Sequence, residues 1–132
     1  MVRDLRWECG ERGCFRKAMC PKLGAFDVCF PGRIGMTDVD GFVEVGGRFL
    51  LIEWKSAGGA LGTGQRIAFE RLTALSPLIT VAVVSGEPRE PAVSAVQIIR
   101  EGRTGPVVPS DTAALKARVE AWARRASIRR AA

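Results

Sequence analysis

Histidine is absent from the chain, and that one gap removes several chemistries at once. A Ser-His-Asp triad, a Cys-His dyad, a His-metal nuclease finger and a His-ligated catalytic zinc all need an imidazole. A carboxylate-held metal survives the gap, because the ion itself activates a bound water. No apolar run approaches the length of a membrane span, so no membrane partner is expected. The first residues, MVRDLRWECG, carry no apolar stretch of the signal-peptide kind, which predicts a cytoplasmic protein. No low-complexity tract interrupts a chain of 132 residues that is 47% apolar, and one folded domain over residues 1–132 is expected. The Gly-rich stretch 57–64 is not followed by Gly-Lys-Ser/Thr, which excludes a Walker phosphate loop and nucleotide hydrolysis with it. No coiled-coil seam is readable, and monomer and homodimer both stay open.

Positive charge, by contrast, is in excess. A formal charge of +6 and a pI near 9.8 favour a polyanionic partner, nucleic acid first among them. The stretch that gives this charge a direction is MTDVDGFVEVGGRFLLIEWKS, residues 36–56. Gly46-Gly47 separates two apolar runs and supplies the positive φ angles of a two-residue hairpin turn. Counting outward from that turn pairs Val45 with Arg48, Val43 with Leu50, Gly41 with Ile52 and Asp40 with Glu53. Side chains alternate along a strand, so Asp38, Asp40, Glu53 and Lys55 share one face. Opposed carboxylates with Cβ atoms roughly 4.5–5.5 Å apart repel unless a cation sits between them. Mg²⁺ or Mn²⁺ suits such a pair, since hard ions take one or two carboxylates and complete their shell with water and substrate phosphates. Lys55 then stands where a point charge steadies a developing phosphoryl charge. The plainer reading is a solvated strand end with a surface Asp38–Lys55 pair of little energetic weight.

This segment resembles the signature of the PD-(D/E)xK nuclease superfamily, the restriction-endonuclease-like fold, in which an Asp opens one strand and Glu-x-Lys closes the next. The resemblance spans Thr37 to about Leu75. It implies Asp40 as the metal-binding Asp, Glu53 as the second carboxylate, Lys55 as the catalytic lysine, and the Trp54 carbonyl as a further metal ligand. Gln65, in GTGQRIAFERL, matches a helix glutamine that many members carry, although it also reads as a residue capping exposed amides. Val39 stands where the name-giving pattern has Pro. Asp38 competes for the first ligand role, or supports a metal ligand from behind or binds a second metal, and a β-bulge would decide between Asp38 and Asp40.

The implied fold is α/β: a restriction-endonuclease-like core with a central mixed β-sheet flanked by helices, a Cys-containing N-terminal segment (residues 1–35), a catalytic core (36–100) and a basic C-terminal helix (110–132). The implied activity is that of a metal-dependent nuclease hydrolysing phosphodiester bonds, most readily in DNA, of the small stand-alone kind found in bacteriophages and prophages. The alternative is a nucleic-acid-binding module with a structural zinc and a silent nuclease fold.

Cys9, Cys14, Cys20 and Cys29 crowd into one short segment. In a reducing compartment such a cluster suggests a thiolate site for Zn²⁺ or an iron-sulfur cluster, yet the irregular spacing lacks a Cys-x-x-Cys pair, and four reduced thiols packed as small hydrophobes remain the alternative. Arg12, Arg16, Lys17 and Lys22 run between them, either as phosphate contacts or as a solvated face.

Elsewhere the pattern predicts a first helix over 12–23, a first core strand at FDVCF (26–30), and a helix from about Gln65 to Leu75 burying Ala68, Phe69, Leu72 and Leu75. LITVAVV (78–84) reads as a buried central strand, VSAVQII (93–99) as an edge strand, and residues 100–109 as a surface loop. A helix starting at Ser110 or Asp111 should dock through Leu115, Val119 and Trp122. Arg66 and Arg71 on the first of these helices, and Arg124 and Arg125 on the last, are candidate nucleic-acid contacts, with a solvated basic surface as the alternative.

Overall fold

The computed structural model describes residues 23–37 and 39–131, and the chain divides into two units between residues 38 and 39. In the first unit Leu23–Cys29 forms a 3-10 helix. The core strand expected at FDVCF is therefore not formed. Its backbone groups are satisfied locally, with the Phe30 amide donating to the Asp27 carbonyl at 3.2 Å, and a strand needs those groups for a neighbour. Phe26 and Val28 are 50% and 91% exposed, so the apolar alternation buries little here. The helix expected over 12–23 lies outside the described residues apart from Leu23.

The second unit is an α/β arrangement built on a five-stranded mixed sheet. Its strands are β1 (Gly41–Val45), β2 (Arg48–Lys55), β3 (Ile79–Glu87), β4 (Ala92–Arg100) and β5 (Arg103–Pro109), side by side in that order. Helix α1 (Thr63–Ala74) links β2 to β3, and α2 (Thr112–Ala131) follows β5. Only β2 and β3 run parallel; the other three pairings are antiparallel. A parallel pair requires a long crossover, and α1 supplies it.

The first hairpin has the register counted from its turn: Val45 faces Arg48, Val43 faces Leu50, and Gly41 faces Ile52. Gly46 and Gly47 take φ of 58° and 84°, the left-handed values a two-residue turn between twisted strands demands. Alternation then sorts β2 onto two layers. Phe49 and Leu51 pack with Val81, Val83 and Ile99 under Phe69 and Leu72 of α1. Leu50, Ile52 and Trp54 pack with Ala82 and Val84 under Leu115, Val119 and Trp122 of α2, as the helical spacing of those three predicts. The run 81–84 is buried on both faces, the behaviour of a central strand.

Three expectations are corrected. β4 is not an edge, because residues 103–109 form a fifth strand rather than a loop. Pro106 and Pro109 argued for a loop, but a proline is tolerated on an outermost strand whose missing N–H would have faced solvent, and a register shift between Gln97 and Ile99 absorbs the irregularity. The inner face of α1 is also rotated. Phe69, Leu72 and Thr73 turn inward, whereas Ala68 and Leu75 are exposed. The cause is Thr73, fully buried, whose hydroxyl donates to the Phe69 carbonyl at 2.8 Å and accepts the Gly102 amide at 3.1 Å, fixing the helix against the β4–β5 turn.

Asp111 caps α2, its Oδ1 accepting the Ala114 amide at 2.8 Å. Asp111→Ala is expected to lower stability by about 1 kcal/mol, read as a shift in the urea midpoint without a change in slope. Among the described residues no helix is long and apolar enough to cross a membrane.

Candidate active site

The stripe that runs Phe49, Leu51, Glu53, Lys55 along β2 starts in the core and ends in charge. The apolar half of the stripe packs under α1, and the same alternation carries Glu53 beneath the start of that helix, where it is only 5% exposed. A carboxylate that deeply placed needs compensation. It receives it on one oxygen: Glu53 Oε1 accepts Gln65 Nε2 at 3.0 Å and lies 3.3 Å from Lys55 Nζ. Lys55 Nζ in turn donates to Gln65 Oε1 at 2.7 Å. Gln65 thus bridges the acid and the base, its amide nitrogen toward the carboxylate and its oxygen toward the ammonium, the one orientation in which both contacts are favourable. The second oxygen, Glu53 Oε2, is buried with no hydrogen-bond partner.

Asp40 arrives from the other strand of the hairpin. Regular pairing stops at Gly41 and Ile52, and the next step of the register places Asp40 across from Glu53. Asp40 Oδ2 accepts the Trp54 amide at 2.7 Å, taking the place of a ladder partner. In a strand the N–H and C=O of one residue point to the same side, so the Trp54 carbonyl is directed past the start of β1 as well. The Trp54 ring is held on the opposite face, its Nε1 donating to the Gly86 carbonyl at 3.1 Å.

Asp40, Glu53, Lys55 and Gln65 are therefore gathered, with the Trp54 main chain between the two acids. Asp38, Cys9, Cys14 and Cys20 lie outside the described residues, and Cys29 is an exposed free thiol. Among the described residues no three Cys, Asp or Glu side chains converge as a metal cage. Two carboxylates are nonetheless enough for Mg²⁺ or Mn²⁺, which relies on water and substrate phosphate for the remaining positions. The unpartnered Glu53 Oε2 is the observation that fits such an ion, since a buried anionic oxygen left alone is costly.

The side chain of Gln65 is engaged with Glu53 and Lys55 rather than with exposed amides, and Gly62, the N-cap of α1, makes no side-chain cap bond. Of the arginines expected to meet nucleic acid, Arg66 stands beside the site and is ion-paired with Glu70 at 2.9 Å. Arg71 is exposed in the last turn of α1, and Arg124 and Arg125 are exposed on α2, the helix that covers the other face of the sheet. Residues not singled out from the sequence complete the surroundings. Lys55 pairs in register with Ser85, and a cleft of about 200 Å³ opens there, lined by Leu61, Arg66, Val83, Ser85, Gln97 and Val107. Ser85 carried a faint signal as the first polar residue after LITVAVV, but only the parallel register brings it beside Lys55.

No known family model, characterised protein or solved structure matches the chain.

Proposed function

We propose that this protein is a metal-dependent nuclease that hydrolyses phosphodiester bonds, most readily in DNA, with a site of PD-(D/E)xK type on a restriction-endonuclease-like core. The observation that carries the reading is the buried carboxylate of Glu53, one oxygen bound to Lys55 and Gln65 and the other without a partner, on the same side of the hairpin as Asp40. Glu53, Asp40 and the Trp54 carbonyl would hold the cation, which when bound supplies a Lewis acid and an activated water. Lys55 keeps its ammonium 3.3 Å from Glu53, where it can neutralise charge that builds on a phosphoryl oxygen. Gln65 fixes that ammonium in place and removes the freedom of a long side chain. The cleft beside Ser85 offers room next to the reacting groups, and the formal charge of +6 favours approach of a polyanion.

Nicking of supercoiled plasmid by the native chain, with Mg²⁺ or Mn²⁺ and then with EDTA, tests this directly. Conversion to open circles with either ion, and none in the chelator, is expected. A folded, metal-supplied protein that leaves DNA and RNA intact would sink the nuclease and favour the binding module.

A further inference from the structure

A second concavity of the second unit lies away from Glu53 and Lys55. It is an open groove of about 650 Å³ on the α2 face of the sheet, between the β4–β5 hairpin and α2. Its floor is apolar, with Val96, Ile98, Pro106 and Val108, and its walls carry Arg100, Arg103 and Arg118. Glu101 is the one acid on the lining, and none of the three arginines is ion-paired among the described residues.

The hairpin imposes this concentration of charge. The two-residue turn at 101–102 makes Arg100 and Arg103 direct cross-strand partners, which share a face and have Cβ atoms roughly 4.5–5.5 Å apart. Like charges so placed are destabilising unless an anion lies between them. Arg118 adds a third guanidinium from the helix, and Arg125, seven residues on, falls on the same flank of α2. We infer that this groove is a second nucleic-acid site, in which Arg100, Arg103 and Arg118 clamp the phosphodiester backbone.

The chemistry selects that occupant. Guanidinium forks match phosphate oxygens bidentately. The apolar floor has no side-chain donor or acceptor with which to read base edges, so contact is to the backbone and independent of sequence. The groove is open rather than enclosed, which suits a passing strand better than a captured nucleotide. In register, Arg100 pairs with Thr80 near the start of β3, whereas Lys55 pairs with Ser85 toward its end. The arginine end of the groove and the candidate active site thus lie on opposite faces and at opposite ends of the sheet, and the arginines anchor a different stretch of nucleic acid from the one at Lys55. The inference rests on the nucleic-acid part of the reading above and not on cleavage.

The test is binding of a labelled DNA duplex by the full chain in EDTA, followed by anisotropy between about 50 and about 200 mM salt. Replacing Arg100, Arg103 and Arg118 together by Gln is expected to weaken binding at least about tenfold at the lower salt and to reduce the slope of log K against log salt by about 2–3. The corresponding triple Lys variant should keep most of that slope, a result that loss of fold would not give. A control that removes the same charge elsewhere, Arg33→Gln with Arg89→Gln and Lys116→Gln, should bind distinctly better than the Gln groove variant. Equal affinity of the groove variant and this control overturns the inference, as does displacement of the duplex by a mononucleotide at matched phosphate concentration. A groove-dependent binder that never nicks plasmid leaves the inference standing and removes the nuclease; normal nicking with groove-independent binding does the reverse.

Discussion

Glu53→Gln is expected to reduce cleavage by about two to three orders of magnitude while leaving the fold as stable as the native chain or about 1 kcal/mol more stable. The side chain is nearly isosteric, and its remaining carbonyl oxygen can still accept from Lys55 and Gln65. What disappears is a buried negative charge with one oxygen lacking a partner. Removing the more deeply buried charge relieves the larger desolvation cost and leaves Lys55, whose side chain is 22% exposed, able to reach water, whereas removing Lys55 strands the buried carboxylate. Lys55→Met should therefore show the opposite stability change, with the same loss of cleavage, because it strands Glu53 without its cation. The pair of melting temperatures, measured without any substrate, separates a functional carboxylate from a structural ion pair. Added Mg²⁺ or Mn²⁺ should raise the melting temperature of the native chain by mass action and leave that of Glu53→Gln almost unmoved. A Glu53→Gln protein that melts well below the native one would mean that the ion pair serves the fold.

Gly86→Ala is expected to be the most destabilising single-methyl change in the sheet, at about 3 kcal/mol or more, seen as a lower midpoint in urea. Gly86 sits at φ 151°, beside the register shift between β3 and β4. That conformation is nearly closed to residues with a Cβ. An added Cβ would also run into the Ala92 carbonyl oxygen, a backbone atom that cannot swing aside. Movement there would disturb the carbonyl that accepts the Trp54 indole, and with it the strand that carries Glu53 and Lys55. Gly62→Ala, where an added Cβ meets nothing within 4 Å, is the matched control.

The candidate site was the most legible part of the chain because its geometry is local. A Gly-Gly turn fixes a register, the register fixes which side chains share a face, and three of the four site residues lie within that one hairpin. Gln65 was reachable because it opens the helix that follows. Less legible were the features that depend on distant partners. FDVCF had the composition of a strand and lacked a neighbour, whereas residues 103–109 had the composition of a loop and gained one. Thr73 looked like a polar interruption of an apolar helix face, and its value as a buried link to the β4–β5 turn exists only once that turn is in place. Ser85 reached Lys55 through a parallel pairing that no local rule specifies.

That parallel pairing has a consequence for how the protein acquires its chemistry. Three of the four strand junctions close over the short turns 46–47, 88–91 and 101–102, each a nearby event in chain space. The junction of β2 with β3 spans residues 56–78 and carries the largest single loop-closure cost in the sheet. The same segment carries Gln65, so the hairpin can align Asp40, Glu53 and Lys55 by itself, yet the bridge between acid and base needs the longest connection to close. The arming of the site is thus tied to that longest closure, and a chain that has not made it presents two carboxylates and a lysine without the glutamine that holds them together.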